Sequence, residues 1–109
     1  MEQLTYVIVG SGYRAQYYAR IAARFPAFFR ACFLCRSEEK ARSMFLQTGV
    51  PATASVENAL SMKPAFAVIA VNKESVADVA AQWVERGLPV LLETPAGNTP
   101  EQLRQLWEL

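Results

Sequence analysis

Six residues near the N-terminus, Gly10-Ser11-Gly12-Tyr13-Arg14-Ala15, have the types and spacing to cradle a phosphate. They follow the apolar run Leu4–Val9 and lead into a stretch with helical spacing. Strand, Gly-x-Gly-x-x-Ala turn and helix, in that order, make up the dinucleotide-binding fingerprint in its required context. Each small residue has its own task. Gly10 permits the tight strand-to-helix turn, and Gly12 lacks a Cβ, so a pyrophosphate can approach the backbone. Ala15 lets the helix pack close to the sheet. The unpaired N–H groups of the helix's first turn then face the phosphates, and the helix dipole favours their charge. Arg14 stands where a cation reaches a phosphate, and Tyr13 where a ring covers one. Both positions also suit ordinary helix-surface residues.

Further candidates follow the later apolar runs. The second run ends Cys35-Arg36-Ser37, where NAD-binding domains carry an acid for the ribose hydroxyls. No acid is present at Cys35. An arginine and a hydroxyl suit a 2′-phosphate instead, so the expected cofactor is NADP, with NAD as the alternative. Val71 and Asn72 close the fourth run, at the crevice where the strand order of such a sheet reverses. Asn72 is also a candidate helix cap. Glu93, Thr94 and Pro95 close the fifth run and face the same crevice, with Glu93 placed to orient a ribose or nicotinamide.

Composition removes other chemistries. The chain has no histidine, which excludes histidine metal sites and Ser-His-Asp triads within it. Cys32 and Cys35 have redox-motif spacing but lie within an apolar run. Residues three apart on a strand point to opposite faces, so a disulfide or shared metal is geometrically poor and both read as buried thiols. A net charge of +1 leaves no footprint for nucleic acid or an anionic membrane. No apolar run approaches the roughly 18–20 residues that span a bilayer. No basic region followed by an apolar stretch opens the chain, so the expected location is the cytoplasm.

These residues need a scaffold, and the alternation of apolar runs with amphipathic segments supplies one. Strands are expected at Leu4–Val9, Arg30–Cys35, Pro51–Ala54, Phe66–Val71 and Pro89–Glu93. Helices are expected at Tyr13–Arg24, from Glu38 to just before Gly49, from Ser55 to Ser61, and at Lys73–Arg86. Thr99 and Pro100 read as the cap and first residue of a last helix, with Gln102 completing a capping box. Strand and helix in alternation, with short connections, specify right-handed βαβ units in an α/β doubly wound parallel sheet of order 3-2-1-4-5. The 109 residues suit one domain. The chain ends at Leu109 inside a helical pattern, as a domain cut from a longer protein would.

The order of these pieces resembles the N-terminal Rossmann domain of the glucose–fructose oxidoreductase, inositol dehydrogenase and MocA (Gfo/Idh/MocA) family. The resemblance covers nearly the whole chain. It rests on Gly10–Ala15, on the helix start Arg36-Ser37-Glu38-Glu39-Lys40-Ala41, and most specifically on Ala80–Pro95. It implies nicotinamide-dependent hydride transfer on sugars, cyclitols or related polyols. It also implies a larger C-terminal domain, absent from this chain, that supplies substrate contacts and much of an oligomer interface. Two positions depart from the family's pattern. Thr94 replaces the lysine of Glu-Lys-Pro, and Val76 replaces the histidine of the stretch after the fourth strand. Those departures leave the catalytic residues unassigned and favour, as the alternative, a non-catalytic NAD(P)-binding sensor. A methyltransferase would want an acid after the second strand, against Cys35. A homo-oligomer is expected, with Leu106, Trp107 and the stretch Phe25-Pro26-Ala27-Phe28-Phe29 as its apolar surface.

Overall fold

The computed structural model describes residues 3–10, 12–71 and 75–92. Among them, β1 (Leu4–Val9), α1 (Tyr13–Arg24), β2 (Phe29–Leu34), α2 (Glu38–Thr48), β3 (Ala52–Thr53), α3 (Val56–Ser61), β4 (Phe66–Ile69), α4 (Val76–Glu85) and β5 (Val90–Leu92) follow one another. The five strands form one sheet in the order β3-β2-β1-β4-β5, and every pairing is parallel. This is the expected doubly wound order. β1 is central, pairing with β2 from Leu4↔Phe29 to Val9↔Leu34 and with β4 from Tyr6↔Phe66 to Val9↔Ile69.

The alternation of side chains along β1 explains the two layers. Tyr6 and Ile8 point into one core with Ala15, Ala19 and Ala22 of α1 and Ala41 and Met44 of α2. Val7 and Val9 point into the other, with Ala59 of α3 and Val76, Ala80 and Trp83 of α4. A parallel strand covered on both faces must be apolar throughout, and Val7 and Ile8 are fully buried. The alanines of α1 recur at helical spacing, which lets the helix sit close on the sheet.

Caps stop the helices where the sequence signals them. Ser37 Oγ accepts from the Lys40 N–H at 3.1 Å, and Ser55 Oγ from the Asn58 N–H at 3.2 Å. Gly49 ends α2 in the left-handed region, at φ 74°, with its N–H donating to the Phe45 carbonyl at 2.8 Å.

Several boundaries differ from expectation. β2 starts one residue early and leaves Cys35 just beyond its end, although the Cys35 N–H still donates to the Thr53 carbonyl at 2.8 Å. β3 shrinks to two residues, β5 to three, and β4 stops at Ile69 instead of Val71. Beyond β4 the apolar run is longer than the ladder, because Ala70 and Val71 line a cleft instead of pairing with a neighbouring strand. The helix expected from Lys73 begins at Val76. The capping box at 99–102 lies outside the described residues, as do Leu106 and Trp107. Phe25 and Phe28 are close to half exposed. No helix among the described residues is long and apolar enough to cross a membrane.

A partly buried polar contact ties α1 to the sheet. Tyr6 is stacked on Phe66, with ring centroids 5.2 Å apart, and its hydroxyl donates to the Tyr18 carbonyl at 2.6 Å. Burial raises the pKa of that hydroxyl above its ordinary value, so it stays a donor across the neutral range. Tyr6→Phe is expected to lower stability by about 1–2 kcal/mol in urea unfolding. An unchanged midpoint would show that the bond contributes nothing.

Candidate functional site

The two fingerprint glycines have different reasons to be glycine. Gly10 leaves β1 with φ +131°, and its N–H donates to the Leu34 carbonyl at 3.1 Å. A Cβ there would lie 2.3 Å from the Ala70 carbonyl oxygen, a backbone atom that cannot move aside cheaply. The fold itself therefore requires Gly10. Gly12 has φ −82° and ψ −168°, which any residue adopts, and a Cβ built on it meets nothing within 4 Å. Nothing within the described chain requires a glycine there. What a side chain at Gly12 would occupy is open space in front of α1.

That space faces an uncompensated helix end. α1 has no side-chain cap and no acidic residue in its first turn. The other three helices each carry an acid there (Glu38 and Glu39, Glu57, Asp78), and α2 and α3 have serine caps as well. Among the described helices only α1 presents its positive end with neither a side-chain cap nor an acid in its own first turn. Ala15 packs behind it, fully buried, as its size predicts.

Gly10 and Gly12 form one end of a cleft of about 700 Å³. Leu34, Val56, Val71 and Val79 give it apolar surface, while Arg36, Lys40 and Arg86 bring cations. No Asp or Glu is among its described lining residues. Cys35 and Ser37 also line it. Ser37 accepts a bond as the cap of α2, which leaves its hydroxyl proton free to donate outward. Burial pushes the Cys35 thiol up in pKa, with nearby Lys40 partly opposing, and burial likewise pushes up Cys32. Both are free, buried and protonated at neutral pH, as the apolar run predicts and not as a redox pair requires.

The cleft thus brings together Gly10, Gly12, Cys35, Arg36, Ser37 and Val71 of the residues singled out in the sequence. Arg14 is exposed on α1 and is not one of the lining residues. Ser11, Asn72, Glu93, Thr94 and Pro95 lie outside the described residues, as does the side chain of Tyr13. The sequence reading missed Lys40 and one side of α4, where Val79, Gln82, Trp83 and Arg86 line the cleft. Their spacing of three and four residues was the available signal. Arg86 lies over the Trp83 ring, 5.0 Å from its centroid.

Comparison with known proteins shows the family and the fold. The profile of the oxidoreductase family with an NAD-binding Rossmann fold, the Gfo/Idh/MocA family, matches residues 4–109, and the chain belongs to that family. No curated protein sequence matches it. Among solved structures, GenD2 from gentamicin A biosynthesis, in complex with NAD, is 25% identical with a TM-score of 0.81 over 97% of this chain and 31% of that one. An NAD-binding protein from Listeria innocua is 26% identical with a TM-score of 0.80, over 98% of this chain and 32% of that one. The WlbA dehydrogenase from Chromobacterium violaceum, in complex with NADH and UDP-GlcNAcA, shares the fold at 14% identity, with a TM-score of 0.85 over 99% of this chain and 32% of that one. The chain spans about a third of the length of these proteins.

The glycine contrast is directly measurable. Gly10→Ala is expected to cost about 2–5 kcal/mol, from left-handed strain and overlap with the Ala70 carbonyl. Gly12→Val should cost about 1 kcal/mol, the ordinary loss on replacing a glycine N-cap. Equal costs in thermal or urea unfolding would show that the close approach at Gly10 is not real.

Proposed function

We propose that this chain binds a nicotinamide dinucleotide, NADP in preference to NAD, with the pyrophosphate over Gly10–Ala15. The observation that carries the reading is Gly12, a glycine that none of the described residues requires, set before an uncapped helix end in a cation-lined cleft. The group fits the residues present. The α1 N-terminus and the Gly12 backbone receive a diphosphate, and Ser11, Tyr13 and Arg14 are assigned to it from the fingerprint in the sequence. The apolar surfaces of Leu34, Val56, Val71 and Val79 suit a flat base.

Preference for NADP follows from the end of β2. Cys35 offers a neutral thiol where an acid would bind ribose hydroxyls and repel a phosphate. Arg36 and Lys40 supply two cations at the same cleft, and Ser37 a hydroxyl donor.

When bound, the dinucleotide supplies a nicotinamide carbon that gives or takes a hydride. The chain's own part is to hold that ring at the crevice beyond β4 and β5, and Asn72, Glu93, Thr94 and Pro95 are the residues we assign to it from the sequence. We assign the reaction to a sugar- or polyol-like substrate held by a second domain outside this chain, a reading supported by the UDP-sugar bound to WlbA. A second reading, a non-catalytic NAD(P)-binding sensor, is favoured by Val76. This residue stands where the family has a histidine, and it is buried in the apolar core at the start of α4. It supplies no proton donor.

Titration of NADP and NAD against the parent chain, Gly12→Val and Arg36→Ala tests the proposal. NADP should bind the parent more tightly than NAD, and Gly12→Val should abolish binding of both while remaining folded. Arg36→Ala should weaken NADP by about 10–100-fold, the worth of one charge-assisted contact of about 1.5–3 kcal/mol, and leave NAD unchanged. Undiminished binding by Gly12→Val would overturn the site. Equal affinities in the parent, or an unselective loss in Arg36→Ala, would overturn the cofactor preference.

A further inference from the structure

The side of α4 facing the cleft is not explained by phosphate binding. Val79, Gln82, Trp83 and Arg86 recur at three- and four-residue spacing, so they form one stripe down the helix. Val79 at its upper part joins the apolar surfaces of Leu34, Val56 and Val71. Trp83 is only 2% exposed and belongs to the core, and the Arg86 guanidinium is engaged over its ring. Gln82 is exposed and, among the described lining residues, is the single side-chain amide. It lies one helical step from Val79, beside the apolar slot.

A flat heteroaromatic base needs apolar contact for its faces and a donor–acceptor partner for its edge. An amide matches adenine, whose 6-amino group donates beside an accepting N7. Hypoxanthine presents two acceptors along that edge, so the amide oxygen would face another oxygen. We propose that Gln82 reads the base of the bound dinucleotide, and that its amide makes the cleft selective for a 6-aminopurine. The inference rests on the dinucleotide reading above and adds to it a specificity residue on α4. Arg86, held on Trp83, contributes charge at the cleft edge and no base selectivity.

The test is a cycle that edits the residue and the base together. NADP and its hypoxanthine analogue are titrated against the parent chain, Gln82→Ala and Arg86→Ala, with the nucleotide's own fluorescence or calorimetry as readout. Gln82 is exposed on a helix, and circular dichroism confirms that the variants are folded. The parent should favour the adenine form by about 5–10-fold, the worth of about 1–1.4 kcal/mol. Gln82→Ala should bring the two within about twofold. Arg86→Ala should weaken both forms alike and keep their ratio. Equal binding of both forms by the parent, or a ratio that survives in Gln82→Ala, would overturn the inference and leave the dinucleotide site standing. A selectivity lost in Arg86→Ala and kept in Gln82→Ala would also overturn it. Failure of the parent to bind either form would overturn the dinucleotide reading, and the inference with it.

Discussion

The close approach of Gly10 to Ala70 is the constraint on which the rest of the site depends. At the top of β1 the chain bonds both ways. The Gly10 N–H donates to the carbonyl of Leu34, the last residue of β2, and the Ala70 N–H donates to the Val9 carbonyl from the β4 side. The Ala70 carbonyl oxygen fills the place a Cβ would take at Gly10. Three strands are thereby locked at the point where the sheet order reverses, and the backbone turns at once into α1. The helix therefore starts at the mouth of the cleft, with its N–H groups over open space. A single extra methyl group at Gly10 would push that start away from β4.

From this junction the electrostatics follow. One helix end is left without cap or acid, while its neighbours are compensated locally by Ser37, Ser55, Glu38, Glu39, Glu57 and Asp78. The cleft beside it has Arg36, Lys40 and Arg86 and no described carboxylate. Cys35, where an acid would be unhelpful to a phosphate, is a neutral buried thiol. Each feature alone is ordinary. Together they support the proposed site for a large anion with one apolar part, in a chain of the Gfo/Idh/MocA oxidoreductase family.

Much of this was legible in the sequence. Parallel strands buried on both faces cannot be polar, so the runs at Leu4–Val9 and Phe66–Ile69 announce themselves. Serines before helices and Gly49 after one signal caps by their own chemistry. Gly10 and Gly12 of the fingerprint, and Arg36 and Ser37 after the second run, all line the cleft. What escaped was whatever depends on distance. The apolar run overstated β4, since Ala70 and Val71 are as apolar as a strand but serve the cleft. Gln82 and Arg86 were not singled out, because periodicity distinguishes a buried face from an open one but not a cleft wall from bulk surface. Gly10 and Gly12 look alike in sequence, and only the placement of Ala70 separates a glycine the fold needs from one it does not.

The central claim is that the open space before Gly12 and the α1 N-terminus holds the diphosphate of a nicotinamide dinucleotide. Amide chemical-shift mapping on the isotopically labelled chain, titrated with NADPH, tests it most directly. The account predicts saturable shifts at Gly10, Gly12, Ala15, Arg36, Ser37, Lys40 and Val71, with Gln47 and Val50 in the hollow between α1 and α2 unmoved. Shifts confined to that hollow, or a saturating titration in which Gly12 does not move, would contradict it.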